Sequence, residues 1–144
     1  MNKEKTDKLV GTRRDLLDIR EDQPESRFIE AIGKDVFFKK MNALDEDSYN
    51  WSMMQWVDVE GETKQKLERD LVNSRCKYLV RVLCTAKGER LFADDEHELL
   101  GRKPPNVIKE LFEKAQEVAG LDAKTMEKVE KNFDAEPTED SPSV

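Results

Sequence analysis

The sequence predicts a mainly α, α+β fold: four or five helices packed with a small N-terminal β-hairpin. Three observations carry that reading. Apolar residues recur at Val107, Ile108, Leu111, Phe112, Ala115, Val118 and Ala119. That is the spacing of one buried helix face, and it is bounded by Pro104 and Pro105 before it and Gly120 after it. Two short apolar segments, 28–32 and 36–41, flank Gly33 and Lys34, the pattern of two strands around a tight turn. From Asn42 or Leu44 the apolar period changes to that of a helix.

Residues 1–26 are polar, with a short helical spacing at Leu16, Leu17 and Ile19 and a loop through Pro24. With so few apolar anchors this segment is expected to be a flexible arm, loosely packed or used for docking. After the hairpin, Asp45 and Asp47 suit the first turn of a helix whose face carries Tyr49, Met53, Trp56 and Val57, widened by Trp51 and Met54. That stripe has two readings. Aromatic stripes at helical spacing usually pack inward. Met and Trp together also suit an adaptable apolar groove for a protein partner.

Gly61 interrupts, and a long helix is expected from about Glu62, with Leu67, Leu71 and Val72 on its apolar side. It leads into Tyr78, Leu79, Val80, Val82, Leu83 and Cys84, a run broken only by Arg81. Such a run is too short to cross a bilayer and too apolar to face water, so it is core. Gly88 supplies a tight turn that returns Leu91 and Phe92 to the run. Asp94 is placed to cap a short helix ending near Gly101, followed by the helix through Val107 to Ala119 and a Gly120 cap. Beyond it, Asp122 is placed to cap a last helix carrying Met126, Val129 and Phe133, and residues 134–144 form an acidic tail without enough apolar surface to order itself. The organisation read from the chain is therefore an arm (1–26), a helical domain with the hairpin (27–133) and a tail (134–144).

Charge and chemistry exclude several classes. The 25 Lys and Arg are outnumbered by 32 Asp and Glu, for a net charge of −7. Phosphate neutralisation needs clustered cations, so no nucleic-acid partner is expected. No apolar segment reaches the roughly 20 residues that span a membrane, and the first residues lack the apolar core of a signal peptide, so a cytoplasmic protein with no membrane partner is expected. Cys76 and Cys84 read as small buried hydrophobes without a disulfide. The single histidine, His97, follows Asp94, Asp95 and Glu96, but consecutive residues at a helix start point to different sides and do not converge on a metal. Asp45, Asp47 and Tyr49 lack the glycine and the closing acid of a calcium loop, where Asn50 and Trp56 stand. No glycine-rich phosphate loop occurs. The chain reads as a non-enzyme without cofactor or metal.

Residues 74–121 carry a resemblance. The succession of an apolar run with Cys84, a short turn with Gly88, Arg90-Leu91-Phe92, an acidic segment, Leu99-Leu100-Gly101, then Leu111-Phe112 and Ala115 leading into Gly120-Leu121 resembles the tail assembly chaperones of long-tailed, siphovirus-type bacteriophages. The resemblance covers about a third of the chain, with a weaker echo at residues 36–51, and the turn at Thr85 to Lys87 lacks the family's acidic residues. It implies a helper in the bacterial cytoplasm, absent from the mature virion, that binds the tape measure protein and keeps it soluble while the tail tube assembles. It also implies self-association, and a −1 ribosomal frameshift giving a longer product that recruits tail tube protein. Glu130, Lys131 and Asn132 can be encoded GAA AAA AAC, a slippery run in the required frame. On this reading the partner surface includes Trp51, Met54 and Trp56 with Ile108, Leu111 and Phe112. The alternative is a small acidic regulatory adaptor that binds another protein.

Overall fold

The computed structural model describes residues 9–121. Helix outweighs strand, 42% to 20%, in an α+β mixed fold. In chain order the elements are α1 (Arg13–Leu17), β1 (Glu25–Ile29), β2 (Lys34–Phe38), α2 (Ala43–Ser52), β3 (Met54–Asp58), β4 (Gln65–Arg69), α3 (Ser74–Val82), β5 (Leu83–Cys84), α4 (His97–Gly101), which a 3-10 turn at Asp94–Glu96 precedes, and α5 (Pro105–Ala119). The strands form two separate antiparallel sheets, β1-β2-β5 and β3-β4.

The core is built around α3. Every residue from Cys76 to Val82 is buried, so this helix is covered on all sides and not on one stripe. It touches α2, α4 and α5. At Leu83 the backbone turns extended, and Leu83 and Cys84 pair with Phe38 and Phe37 of β2. The helix thus runs directly into the sheet, with Ile29 and Phe38 fully buried beneath it. The turn after β5 closes with Gly88 at φ 89°, where an L side chain would be strained, and the Leu91 N–H donates to the Leu83 carbonyl at 3.1 Å.

Helix α5 lays Ile108, Leu111, Ala115 and Val118 on the core. Pro105 sits in its first turn, and Gly120 ends it in the left-handed conformation at φ 77°. Two contacts fix it to β1 and the following turn. The Glu110 carboxylate accepts the N–H groups of Glu30 at 2.6 Å and Ala31 at 2.9 Å, and Arg27 pairs with Glu117 at 3.3 Å.

Several expectations are corrected. The strands around Gly33 are Glu25–Ile29 and Lys34–Phe38, not 28–32 and 36–41, so β1 begins inside the segment expected to be an arm. The helix that starts after Asn42 ends at Ser52, and Trp56 and Val57 lie on a strand. No helix starts near Glu62: Leu67 is in β4, and Leu71 and Val72 are exposed residues before α3. Asp94 does not cap the short helix. The Glu96 carboxylate closes on the Ala93 N–H at 2.7 Å, and Asp94 turns to two arginines. The expected last helix and acidic tail, residues 122–144, lie outside the described residues.

Candidate partner-binding surface

Helix α2 is locally well specified. The Asn42 side chain accepts the Asp45 N–H at 2.8 Å, and Asp45 and Glu46 stand in the first turn, where the helix dipole favours negative charge. The helix is then gripped from α3 by two buried cations. Lys77, 8% exposed, donates from Nζ to the carbonyl of Ser52, the last residue of α2, at 2.9 Å. Arg81, 3% exposed, donates to Ser48 Oγ at 3.0 Å and to the Lys77 carbonyl at 2.6 Å. A cation on the last carbonyls of a helix complements its negative end.

Aromatic rings complete the seating. Tyr49 meets Tyr78 edge-on at 5.5 Å between centroids, and Tyr78 meets Phe112 of α5 in the same way at 5.5 Å. Burial pushes the Tyr49 and Tyr78 hydroxyls up from the ordinary phenol range, partly offset at Tyr49 by Arg69 and Arg81. With Tyr49 half-buried and Met53 buried, Trp51 is directed outward and is 62% exposed.

The chain then enters β3 and β4, a ribbon of ten residues none of which is buried. Trp56 stands opposite Leu67 and Met54 opposite Arg69, which puts Met54, Trp56 and Leu67 on one face of the ribbon. Trp56 is 61% exposed. The other face carries Gln55, Val57, Lys66 and Glu68, with an ion pair between Lys66 and Glu68 at 3.0 Å. A two-stranded ribbon is marginal in water unless something packs on it. Here nothing among the described residues covers its indole.

Six residues were expected to share a surface, and the structure divides them. Trp51, Met54 and Trp56 lie at the α2 to β3 junction, with both indoles exposed and Met54 half-buried. Ile108 and Leu111 are in the core at 7% and 6% exposed, because α5 spends its apolar face on α3; Phe112 is half-buried against Tyr78. These three are therefore packing residues, a correction to the expected surface. The ribbon itself was missed. Its signal was slight: Met54, Gln55 and Trp56 alternate apolar and polar, and Gly61, at φ 78°, stands in the connecting loop.

No three His, Cys, Asp or Glu side chains among the described residues group as metal ligands. Cys76 and Cys84 are free and buried, and burial raises both thiols above their ordinary range. No described helix is long and apolar enough to cross a membrane. No family model, curated protein or solved structure matches this chain.

Proposed function

We propose that this chain is a phage tail assembly chaperone that binds the tape measure protein and keeps it soluble during tail tube assembly. The observation that carries the reading is the pair of exposed indoles, Trp51 in the last turn of α2 and Trp56 on β3. The resemblance of residues 74–121 to that family supports it, and in this chain the same residues supply the central helix and α5.

Magnitudes favour coating over tight one-to-one binding. Each indole offers roughly 150 Å² for burial. At roughly 25 cal/mol per Å², the two give about 7.5 kcal/mol before the association cost of about 4 to 15 kcal/mol is met. A single contact is therefore weak, and a long helical rod that repeats its apolar stripe would hold many copies by multivalency and contacts between copies. The acidic surface, with the chain at −7, would keep such an assembly dispersed.

On this reading the protein is not an enzyme, acts in the host cytoplasm and is absent from the virion. The β1-β2 hairpin and the helices packed with it are scaffold. A frameshift near Lys131 would yield the longer form that recruits tail tube protein. Co-expression with the tape measure protein of the same genome tests the proposal. A tape measure that becomes soluble and co-purifies only with this chain supports it; one that stays insoluble, with nothing co-purifying, favours the regulatory adaptor.

A further inference from the structure

A cleft of about 410 Å³ opens between the start of α3 and the start of α5, lined by Leu71, Arg75, Cys76, Lys103, Pro105 and Ile108 among others. Its charged lining is Arg75 and Lys103 alone, in a chain of net charge −7. Both side chains are exposed, and neither forms an ion pair among the described residues. Neither α3 nor α5 carries an acidic residue in its first turn, so the backbone adds to the positive potential there. The adjoining cleft adds Lys77 and Arg102, with Asp70 and Glu98 facing them. The Arg75 side of the groove is therefore its unopposed cationic part.

We infer that this groove is the docking site of the chain's own acidic segment, residues 134–144. That segment holds Asp134, Glu136, Glu139 and Asp140 and no base, more than half of the chain's net charge. Its Ala135, Pro137 and Pro142 suit the apolar floor that Leu71, Pro105 and Ile108 provide. The reach is right. The described chain ends at Leu121, just past α5, and α5 is 15 residues, about 22 Å, from the groove end to that point. Residues 122–133 span about 18 Å if helical and about 40 Å if extended. An extended path brings the start of the acidic segment back along α5 to Arg75 and Lys103, and a helical one leaves it about 4 Å short, a gap that residues 135–144 cover. The tail then screens the groove, and any acidic partner must displace it. This inference does not depend on the proposed function.

Amide NMR spectra of the full chain test it, comparing wild type with a tail-neutralised variant (D134N, E136Q, E139Q, D140N) and a groove variant (Arg75→Gln with Lys103→Gln). The groove residues replaced are exposed, so the fold is kept. Neutralising the tail should shift the amides of residues 73–76 and 101–107. The groove variant should shift the tail amides, and both effects should vanish at about 0.5 M salt, where screening acts within about 4 Å. Unmoved groove amides on tail neutralisation would overturn the inference. So would shifts that fade on dilution, which would assign the groove to the tail of a second copy.

Discussion

Arg81 and Asp94 meet at 3.6 Å across the junction of α3 and the 3-10 turn, although Arg81 is 3% exposed and Asp94 half-exposed. Asp94 also pairs with Arg90 at 2.6 Å, and Arg90 in turn donates to the Val80 carbonyl. One carboxylate thus serves two guanidinium groups, while Arg81 reaches on to Ser48 of α2.

Removing the carboxylate strands a buried cation, whereas removing the cation leaves a half-exposed Asp94, a half-buried Ser48 and a Lys77 carbonyl that lies within the helix ladder. Asp94→Ala is expected to cost about 1 to 2 kcal/mol, discounted because solvent screens the half-exposed partner. Arg81→Met, of similar length and apolar, should cost less. Urea unfolding of both variants checks the order; a larger loss for Arg81→Met would contradict it.

The same pair sets a pH dependence. Desolvation pushes the Asp94 carboxyl up, but the Arg90 hydrogen bond and the Arg81 and Arg90 charges outweigh it and hold the carboxyl below its ordinary range. A depressed folded-state value gives stability that is present above about pH 4 and lost as pH falls through the folded value. The stability difference between wild type and Asp94→Asn should therefore shrink as pH drops below about 4. A difference that stays constant as pH falls well below about 4 would assign the effect to something other than ionisation.

Core and surface hydrophobes separate cleanly by mutation. Ile108→Ala and Leu111→Ala should each cost about 2 to 5 kcal/mol. Trp51→Ala and Trp56→Ala should stay within about 0.5 kcal/mol, with helical content unchanged by circular dichroism. A Trp variant that unfolds would place that indole in the packing.

Gly101 is held close by Asn73. An added Cβ would meet the Asn73 amide at 2.9 Å, and that amide donates to the His97 carbonyl at 2.9 Å. Asn73 itself sits at φ 58°, where glycine is comfortable. Gly101→Ala gains some helix propensity in any background, less than the roughly 1 kcal/mol of a helix interior because Gly101 is the last residue of α4. Against Asn73→Gly, which removes the obstructing amide, it should look more favourable than against wild type by about 1 kcal/mol. Equal effects in both backgrounds would mean the amide yields freely.

The α5 helix was legible because its period, its Pro start and its Gly120 stop agree. The turn at Gly88 was legible for the same reason: only a flexible backbone fits φ 89°. The β3-β4 ribbon was not. Tyr49, Met53, Trp56 and Val57 fall at helical spacing, which masks the weaker strand signal of Met54, Gln55 and Trp56 before Gly61. The helix end is held both locally, by Ser52 Oγ on the Tyr49 carbonyl, and from 25 residues away, by the Lys77 ammonium on the Ser52 carbonyl. The burial of Ile108 and Leu111 was visible as an apolar face, but only the packed α3 decides that this face is spent inside the fold. Trp51 is exposed because Tyr49 and Met53 take the inward positions, a choice that the stripe alone left open.

The most direct test is the tryptophan emission of the protein, free and mixed with the tape measure protein as the proposed partner, since Trp51 and Trp56 are the chain's two tryptophans. We expect a water-exposed emission for the free chain and a blue shift in the mixture, with Trp51→Ala/Trp56→Ala forming no complex. A soluble complex in which the emission of both indoles is unchanged would contradict the account and place the contact elsewhere on the fold.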